Sequence, residues 1–291
     1  MLDTKIFTFL KVAQYKNYTK AAAGLNLTQP AVTQHIKKLE EYYGCSLIKI
    51  DGKSVKLTAQ GEVLYNYANF QIANEKQLIN QIKKVETPIK IGATLSIADY
   101  YLPSYLSPYL CHYEELISVT VKNTKLIIEM LLNNELYCAF IEGIFDKSLF
   151  QFYEFCSTRF LPVARKGHPL ENKEVSLSEI HKYPLILREE GSGTREVYEN
   201  YLYENNDSSF SASKIYEISS FGIIKKVLSN SDAISFMYEE VARQEVEIGE
   251  LCYLTIKNYS IKRPLYFIYP SNSLMKEKNE LFYQKLMQSY K

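Results

Sequence analysis

The sequence predicts a multidomain chain: a small α-helical head, a long connecting helix and a two-lobed α/β domain. Three observations predict it. Residues 18–39, YTKAAAGLNLTQPAVTQHIKKL, read as two short helices joined by a tight polar turn; residues 59–85 carry one apolar stripe without a proline; and beyond Pro88 short apolar strands alternate with helical segments. At 291 residues the chain also exceeds one ordinary small domain.

The head comes first. Residues 3–16 place Ile6, Phe7, Leu10 and Val12 or Ala13 at helical spacing, supplying a helix to pack against the pair. Thr19 is positioned to cap the second helix, and the small side chains of Ala21, Ala22 and Ala23 let a neighbouring helix cross closely. Asn26, Leu27 and Thr28 make the turn. The third helix begins at Gln29 with Thr28 as its N-cap, and Pro30 is tolerated in the first turn because its missing N–H has no helical partner there. Ala31, Val32, Ile36 and Leu39 form its buried stripe. The opposite face shows Gln29, Thr33, Gln34 and Lys37, whose amide, hydroxyl and cationic groups suit base edges and phosphates in a major groove. After Gly44, CSLIKIDGKSVKLT alternates like a strand hairpin with Asp51, Gly52 and Lys53 at its tip, a wing for a phosphate backbone. Together these segments make a winged helix-turn-helix.

In the connecting helix, Leu64, Tyr67, Ile72, Leu78, Ile79, Ile82 and Val85 form a stripe about seven turns long. Such a helix either packs on its own domain or pairs two heads in a dimer, and its length favours the second. Thr87 and Pro88 end it and make a hinge.

The remainder reads as Ile89–Ala93 strand, a helix over residues 97–113 interrupted near Pro103 and Pro108, Ile117–Val121 strand, Lys125–Asn134 helix and Cys138–Glu142 strand. That β-α-β-α-β order is the sign of an α/β sheet. A second unit follows from about Phe160. It comprises strands at 161–165, 185–187, 215–218 and 233–237, with helices at 194–205 and 221–229. A last strand, Leu265–Tyr269, and a helix over 276–290 return to the first lobe. The predicted boundaries are therefore 1–58 for the head, 59–87 for the linker and 88–291 for the α/β domain, with lobe I at 88–160 and 265–291 and lobe II at 161–264.

Charge follows this division. Residues 1–58 carry nine Lys against four acidic residues, a net +5; residues 59–87 are neutral; residues 88–291 carry 22 basic and 26 acidic side chains, a net −4. A basic head on a mildly acidic body suits DNA, because phosphate contacts supply most nonspecific affinity. Hydrophobic residues are 46% and charged residues 23%, ordinary for a soluble protein, and no apolar run approaches the roughly 20 residues that span a bilayer. The opening MLDTKIF lacks the form of a signal peptide, so a cytoplasmic location is expected. Cys45, Cys111, Cys138, Cys156 and Cys252 are odd in number and contain no CxxC pair, and the four histidines share no ligand spacing; reduced thiols and no metal are expected.

Candidate binding groups gather at strand-to-helix turns. Thr94 and Ser96 in GATLSIADYYLP follow the first strand, where hydroxyls and free N–H groups bind an anion or simply cap the helix. Asn123 and Thr124 follow the second strand in the same way, so that two turns converge on one crevice. In the other lobe REEGSGTRE puts Gly191, Ser192, Gly193 and Thr194 before a helix with Arg195 beside it, a cradle for a carboxylate, sulfur oxyanion or phosphate. Glu196 stands where a dinucleotide fingerprint needs its third glycine, which rejects that reading, and the Lys and Ser/Thr order of a P-loop is missing. Ser219 and Ser220 precede another helix and are the next candidates. No nucleophile, base and orienting acid can be tied together, so no enzyme and no cofactor are expected.

Along essentially its full length the chain resembles the LysR-type transcriptional regulators. The resemblance is most specific from Phe9 to Gly61, FLKVAQYKNYTKAAAGLNLTQPAVTQHIKKLEEYYGCSLIKI, the wing and LTAQG. It implies a winged head, a dimerising helix and two α/β lobes like type 2 periplasmic-binding proteins, with a small effector in the interlobe cleft changing how a homodimer or homotetramer holds promoter DNA. RNA polymerase is a further candidate partner. Carried onto this sequence, Gln29, Pro30, Thr33 and Gln34 match groove-facing positions; many relatives have Arg where Gln34 stands, and Gln favours adenine where Arg favours guanine. Lys37 and Lys53 read as phosphate contacts. The lobes look most similar to the sulfur-assimilation and carbon-fixation branch, through GATLSIADYYLP, the Asn123–Thr124 turn, IEG at 141–143 and LREEGSGTRE, which implies a small metabolic anion. The glycine-rich turn usual near the end of the second lobe appears here as LSNSDAISF, residues 228–236. Two rivals are a solute-binding or sequestering module with a protein-contacting head, which lacks an export signal, and an enzyme, which lacks a catalytic constellation.

Overall fold

A computed structural model of the chain describes residues 3–51, 54–83, 87–204 and 214–290. The chain divides into two compact units, the first of residues 1–87 with 132–135 and the second of the remainder, and each is described by itself. The first holds α1 (Thr4–Tyr15), α2 (Tyr18–Leu25), α3 (Gln29–Tyr43), the antiparallel hairpin β1 (Ile48–Asp51) and β2 (Ser54–Leu57), and α4 (Ala59–Ile82). Phe9, Val12, Ala21, Val32, Ile36, Leu39, Leu47, Val55, Leu64 and Ala68 make its core, with Phe9 and Val12 wholly buried. Helical periodicity placed the helices, and strand alternation the hairpin. The cap of α2 is a correction: it starts one residue before Thr19, and Asn17, extended at φ −160°, accepts the Lys20 N–H at 3.0 Å through its side chain. Thr28 caps α3, accepting from Ala31 N at 3.4 Å. Glu40 ties α3 to the start of the β1–β2 hairpin, its Oε1 accepting from Leu47 N at 2.8 Å and Ile48 N at 3.3 Å. Gly61 lets α4 start against that joint: a Cβ there would lie 1.9 Å from the Leu47 carbonyl oxygen. Gly52 and Lys53 of the expected wing tip and Val85 of the expected helix end lie outside the described residues.

The second unit opens with β3 (Ile89–Ala93), α5 (Leu95–Tyr100), α6 (Leu102–His112), β4 (Ile117–Val121), α7 (Thr124–Leu132) and β5 (Cys138–Ile141). It continues through the long β6 (Phe150–Arg165), β7 (Glu174–Val175), α8 (Leu177–Ile180), β8 (Leu185–Leu187), α9 (Gly193–Glu204), β9 (Ile215–Glu217), α10 (Phe221–Ser229), β10 (Ile234–Tyr238) and α11 (Glu239–Glu247). The chain closes with β11 (Leu251–Tyr253), β12 (Thr255–Ile256), β13 (Ile261–Pro270) and α12 (Lys276–Ser289). One mixed sheet of nine strands among the described residues runs through both lobes in the order β4-β3-β5-β13-β6-β10-β8-β9, with β11 also on β6. β3 pairs in parallel with β4 and β5, and β8 in parallel with β10 and β9; β6 and β13 are antiparallel from Phe160/Ile261 to Phe150/Pro270.

Three expectations change. The break expected at the prolines falls at Tyr101, between α5 and α6; Pro103 lies in the first turn of α6, and the helix runs through Pro108 because the buried Tyr105 and Tyr109 hold it on both sides. The strand expected at 161–165 is the end of a 16-residue strand, and the last strand extends back to Ile261. Helix α11 was absent from the expectation: in EEVARQEVE only Val241 and Ala242 are buried, too narrow a stripe to show as a period. No helix among the described residues is long and apolar enough to cross a membrane.

Candidate functional site

On the head, α3 lays Gln29, Pro30, Thr33, Gln34 and Lys37 out exposed on the face opposite Val32, Ile36 and Leu39. Gln29 Nε2 donates to Thr33 Oγ1 at 3.1 Å, and the Thr33 hydroxyl donates to the Gln29 carbonyl at 3.1 Å, so these two are held in one arrangement. Lys37 faces Glu41 at 3.9 Å across an exposed turn, a contact too open to hold it from a phosphate. Lys53 lies outside the described residues.

In the second unit the expected turns do converge. β3 ends at Ala93 and delivers Thr94 and Ser96 to the start of α5; Thr124 opens α7; Ser192, Gly193 and Thr194 open α9 from the other lobe. All six residues are nearly or wholly buried. At their centre stands a residue that the motif reading did not single out, Glu142, which directly follows β5 and is 1% exposed. Its Oε1 accepts from Ser96 Oγ at 2.6 Å and from Thr194 Oγ1 at 3.3 Å, and its Oε2 accepts from Thr94 Oγ1. Thr124 Oγ1 donates to the Glu142 carbonyl at 3.1 Å. The Thr94 hydroxyl therefore makes no helix cap. Burial pushes the Glu142 carboxyl above its ordinary value, while the Ser96 and Thr94 hydrogen bonds, the Arg188 charge and the Thr194 hydrogen bond pull it back.

Two close approaches fix this meeting of lobes. A Cβ on Gly193 would lie 2.7 Å from both the Glu142 carbonyl oxygen and Thr124 Oγ1, so only glycine admits the contact. Beside it, Lys125 N donates to the Gly191 carbonyl at 3.3 Å. Further along the junction the Lys225 ammonium lies 4.9 Å from the Tyr100 ring centroid.

Arg188, which follows β8, is 5% exposed. Its Nε and Nη2 donate to Glu189 at 2.8 and 2.9 Å, its guanidinium lies 4.5 Å from the Phe221 ring centroid, and Nη1 has no hydrogen-bond partner. The Tyr238 hydroxyl at the end of β10 is likewise buried and unpartnered; burial, then the Glu142 charge, raises its pKa well above the ordinary tyrosine value.

Other expected residues stand apart from this cluster. Arg195 pairs with Glu199 and Glu217, each at 2.7 Å, and braces lobe II. Ser220 caps α10, accepting from Ile223 N at 3.4 Å. Asn123 caps α7 through Leu126 N at 3.0 Å and flanks the crevice. Glu142 and Arg188 lie in the IEG and LREEGSGTRE segments of the family resemblance, but their own residue signal was only that of charged residues closing the apolar strands CAFI and LIL, which gains meaning from what packs on them. Among the described residues no group of His, Cys, Asp and Glu is placed to hold a metal ion.

Comparison with known proteins covers both units. Residues 4–62 match the family model of the bacterial regulatory helix-turn-helix protein, lysR family, and residues 83–291 match the LysR substrate binding domain. The HTH-type transcriptional regulator CysL of Bacillus subtilis is 30% identical over 289 residues, covering 97% of this chain and 96% of the relative. Among solved structures, full-length LysG of Corynebacterium glutamicum with bound effector Arg is similar with a TM-score of 0.66 at 15% identity, over 100% of this chain and 98% of that one. The Synechocystis CcmR regulatory domain in complex with 2-PG gives a TM-score of 0.60 at 22% identity, over 69% of this chain and 97% of that one. At these identities the two structures speak to the fold alone.

Proposed function

The chain belongs to the LysR family of transcriptional regulators, with a DNA-binding head and an effector-binding domain, and on that premise we propose that a small metabolic anion enters between its two lobes and changes how paired heads hold promoter DNA. As a family member it is a regulator and not an enzyme. The observation that carries the reading is the convergence of Thr94, Ser96 and Thr124 from one lobe with Ser192, Gly193 and Thr194 from the other, beside the buried Arg188 cation. A ligand that touches both lobes binds one interlobe arrangement better than another, and only such differential binding shifts a population.

The exposed row Gln29, Pro30, Thr33, Gln34 and Lys37 supports major-groove docking of α3, with Lys37 and Lys53 on phosphates. Val63, Tyr67, Leu78, Ile79 and Ile82 are exposed along α4, an apolar surface that supports a homodimer paired through this helix. Pairing of dimers into tetramers and contact with RNA polymerase would follow on the promoter.

The test is genome-wide occupancy of the purified protein on its own fragmented genome at a stated salt concentration, beside Gln34→Ala. Specific peaks lost in the variant support the regulator's head reading, and neighbouring genes nominate the effector. Promoter footprints unchanged across a set of small anions, with direct anion binding demonstrated, would overturn the ligand part.

A further inference from the structure

Four of the hydroxyl groups that recommend this crevice for an oxyanion, those of Thr94, Ser96, Thr124 and Thr194, are already committed. An ionised carboxylate only accepts hydrogen bonds, and each Ser or Thr hydroxyl has one proton to give. Thr94, Ser96 and Thr194 all spend that proton on Glu142. What they still offer a newcomer is lone pairs. The cradle thus has the opposite polarity from the one its residue types suggest: a buried negative charge ringed by acceptors. A bare oxyanion pressed against these three hydroxyls and their carboxylate would meet like charge in a site shielded from water, and none of the three has a proton left to give it.

Arg188 supplies the other half. It is buried and shares two of its nitrogens with Glu189, while its Nη1 carries hydrogens that no acceptor takes up. Burying such a donor without a partner is costly, so a ligand that brings an acceptor gains more than in an exposed site. Arg188 directly follows β8, ahead of the turn whose Thr194 bonds Glu142, and its charge acts on that carboxylate. Tyr238, also unpartnered and influenced by the Glu142 charge, adds a hydroxyl able to donate or accept.

From this arrangement, and resting on the reading of the crevice as the effector site, we infer that the ligand is a small acid with two unlike ends. Its anionic group pairs with Arg188, and a hydrogen-bond-donating group, an ammonium or a protonated oxygen, faces Glu142 and its hydroxyls. Glu142 is then the specificity-determining residue. It separates hydrogen phosphate from sulfate, which has the same tetrahedral shape but no proton, and an α-amino acid from the carboxylic acid lacking its ammonium. A site built around a buried acceptor rejects an analogue without the matching donor far more strongly than one that differs only in size.

The experiment is calorimetric titration of the full-length protein with two matched pairs, inorganic phosphate against sulfate and alanine against propionate, at neutral pH. The expected result is that at least one donor-bearing member binds about tenfold or more tighter than its partner. That ratio should collapse in Glu142→Gln, whose amide supplies a donor in the same shape, and should persist in Glu142→Asp, which keeps the acceptor. Sulfate or propionate binding as tightly as its partner in the unmodified protein, but more weakly in Arg188→Lys or Arg188→Met, would overturn the inference while leaving the interlobe site standing. Binding of any probe that is indifferent to both Glu142→Gln and the Arg188 variants would put the ligand elsewhere and overturn the interlobe reading too. Failure of both phosphate and alanine to bind also overturns the inference. Thermal melts of each variant separate loss of binding from loss of fold.

Discussion

The Thr194 hydroxyl of lobe II donates to the Glu142 carboxylate of lobe I at 3.3 Å, in a junction where both side chains are nearly buried. This bond joins two residues 52 positions apart and gives the lobe junction an ionisable member.

Acidity should therefore register in stability. Burial raises the Glu142 carboxyl above its ordinary value of 4.5. Such a group contributes stability that is fully present below 4.5 and is lost as pH rises through the higher folded value. Glu142→Gln removes the dependence, so its melting temperature relative to the unmodified protein should rise with pH across that window. Melts at matched salt from acid to neutral pH check this; a difference flat with pH would refute it.

Gly193→Ala should destabilise the α/β domain by about 1–3 kcal/mol, the usual cost of forcing a methyl group into a packed site. The Cβ collides with the Glu142 backbone, Thr124 Oγ1 and Glu142 Cγ, all within 2.8 Å, so relief requires the lobes to part. Urea denaturation gives the magnitude. Gly222→Ala, whose added Cβ would meet only Ser220 Oγ, at 3.7 Å, is the matched control for added bulk on an open helix face.

Two head substitutions should differ in kind. Gln34→Ala removes a group placed to read a base edge and should cost about 1–3 kcal/mol of discrimination at one position of the site. Lys37→Ala should weaken binding to all sequences and reduce the salt slope of log K by about 1. Titrations of specific and scrambled duplexes at several salt concentrations distinguish them.

Glu40→Ala should loosen the wing by stripping the acceptor from two backbone N–H groups, at about 1–3 kcal/mol. Amide exchange at Leu47 and Ile48 should speed up while the α1–α2 pair stays protected. A parallel substitution of Leu78 and Ile82 by Lys should convert dimers to monomers in sedimentation equilibrium, because it places two charges on the exposed apolar face of α4.

The head was legible because its helices are short, capped and strictly periodic: Val32, Ile36 and Leu39 announce their own burial. The Thr19 cap was misplaced because Asn17 offers an equally good side-chain acceptor two residues earlier, and local chemistry does not rank the two. In the α/β domain, β6 was only half visible since its first half, QFYEF, mixes exposed and buried side chains without clean alternation. The crevice hydroxyls could be read from strand-to-helix turns, which are local features. The carboxylate at their centre could not: what Glu142 does is set by Thr194 and Arg188, supplied by distant parts of the chain. Arg195, adjacent to the right loop, was assigned to the crevice for its charge, yet Glu199 and Glu217 claim it.

The pairing of β6 with β13 has a consequence for how the molecule comes into being. Phe152 finds its partner in Ile268, more than a hundred residues later, and β13 is also the neighbour of β5 in the first lobe's sheet. Until β13 has left the ribosome, the early strands of lobe I present an unsatisfied edge, whereas β6, β8 and β10 of the intervening lobe can already assemble. The first lobe begun is thus the last completed, and a chain ended before Ile261 would expose the β5 edge to other nascent chains rather than bury it.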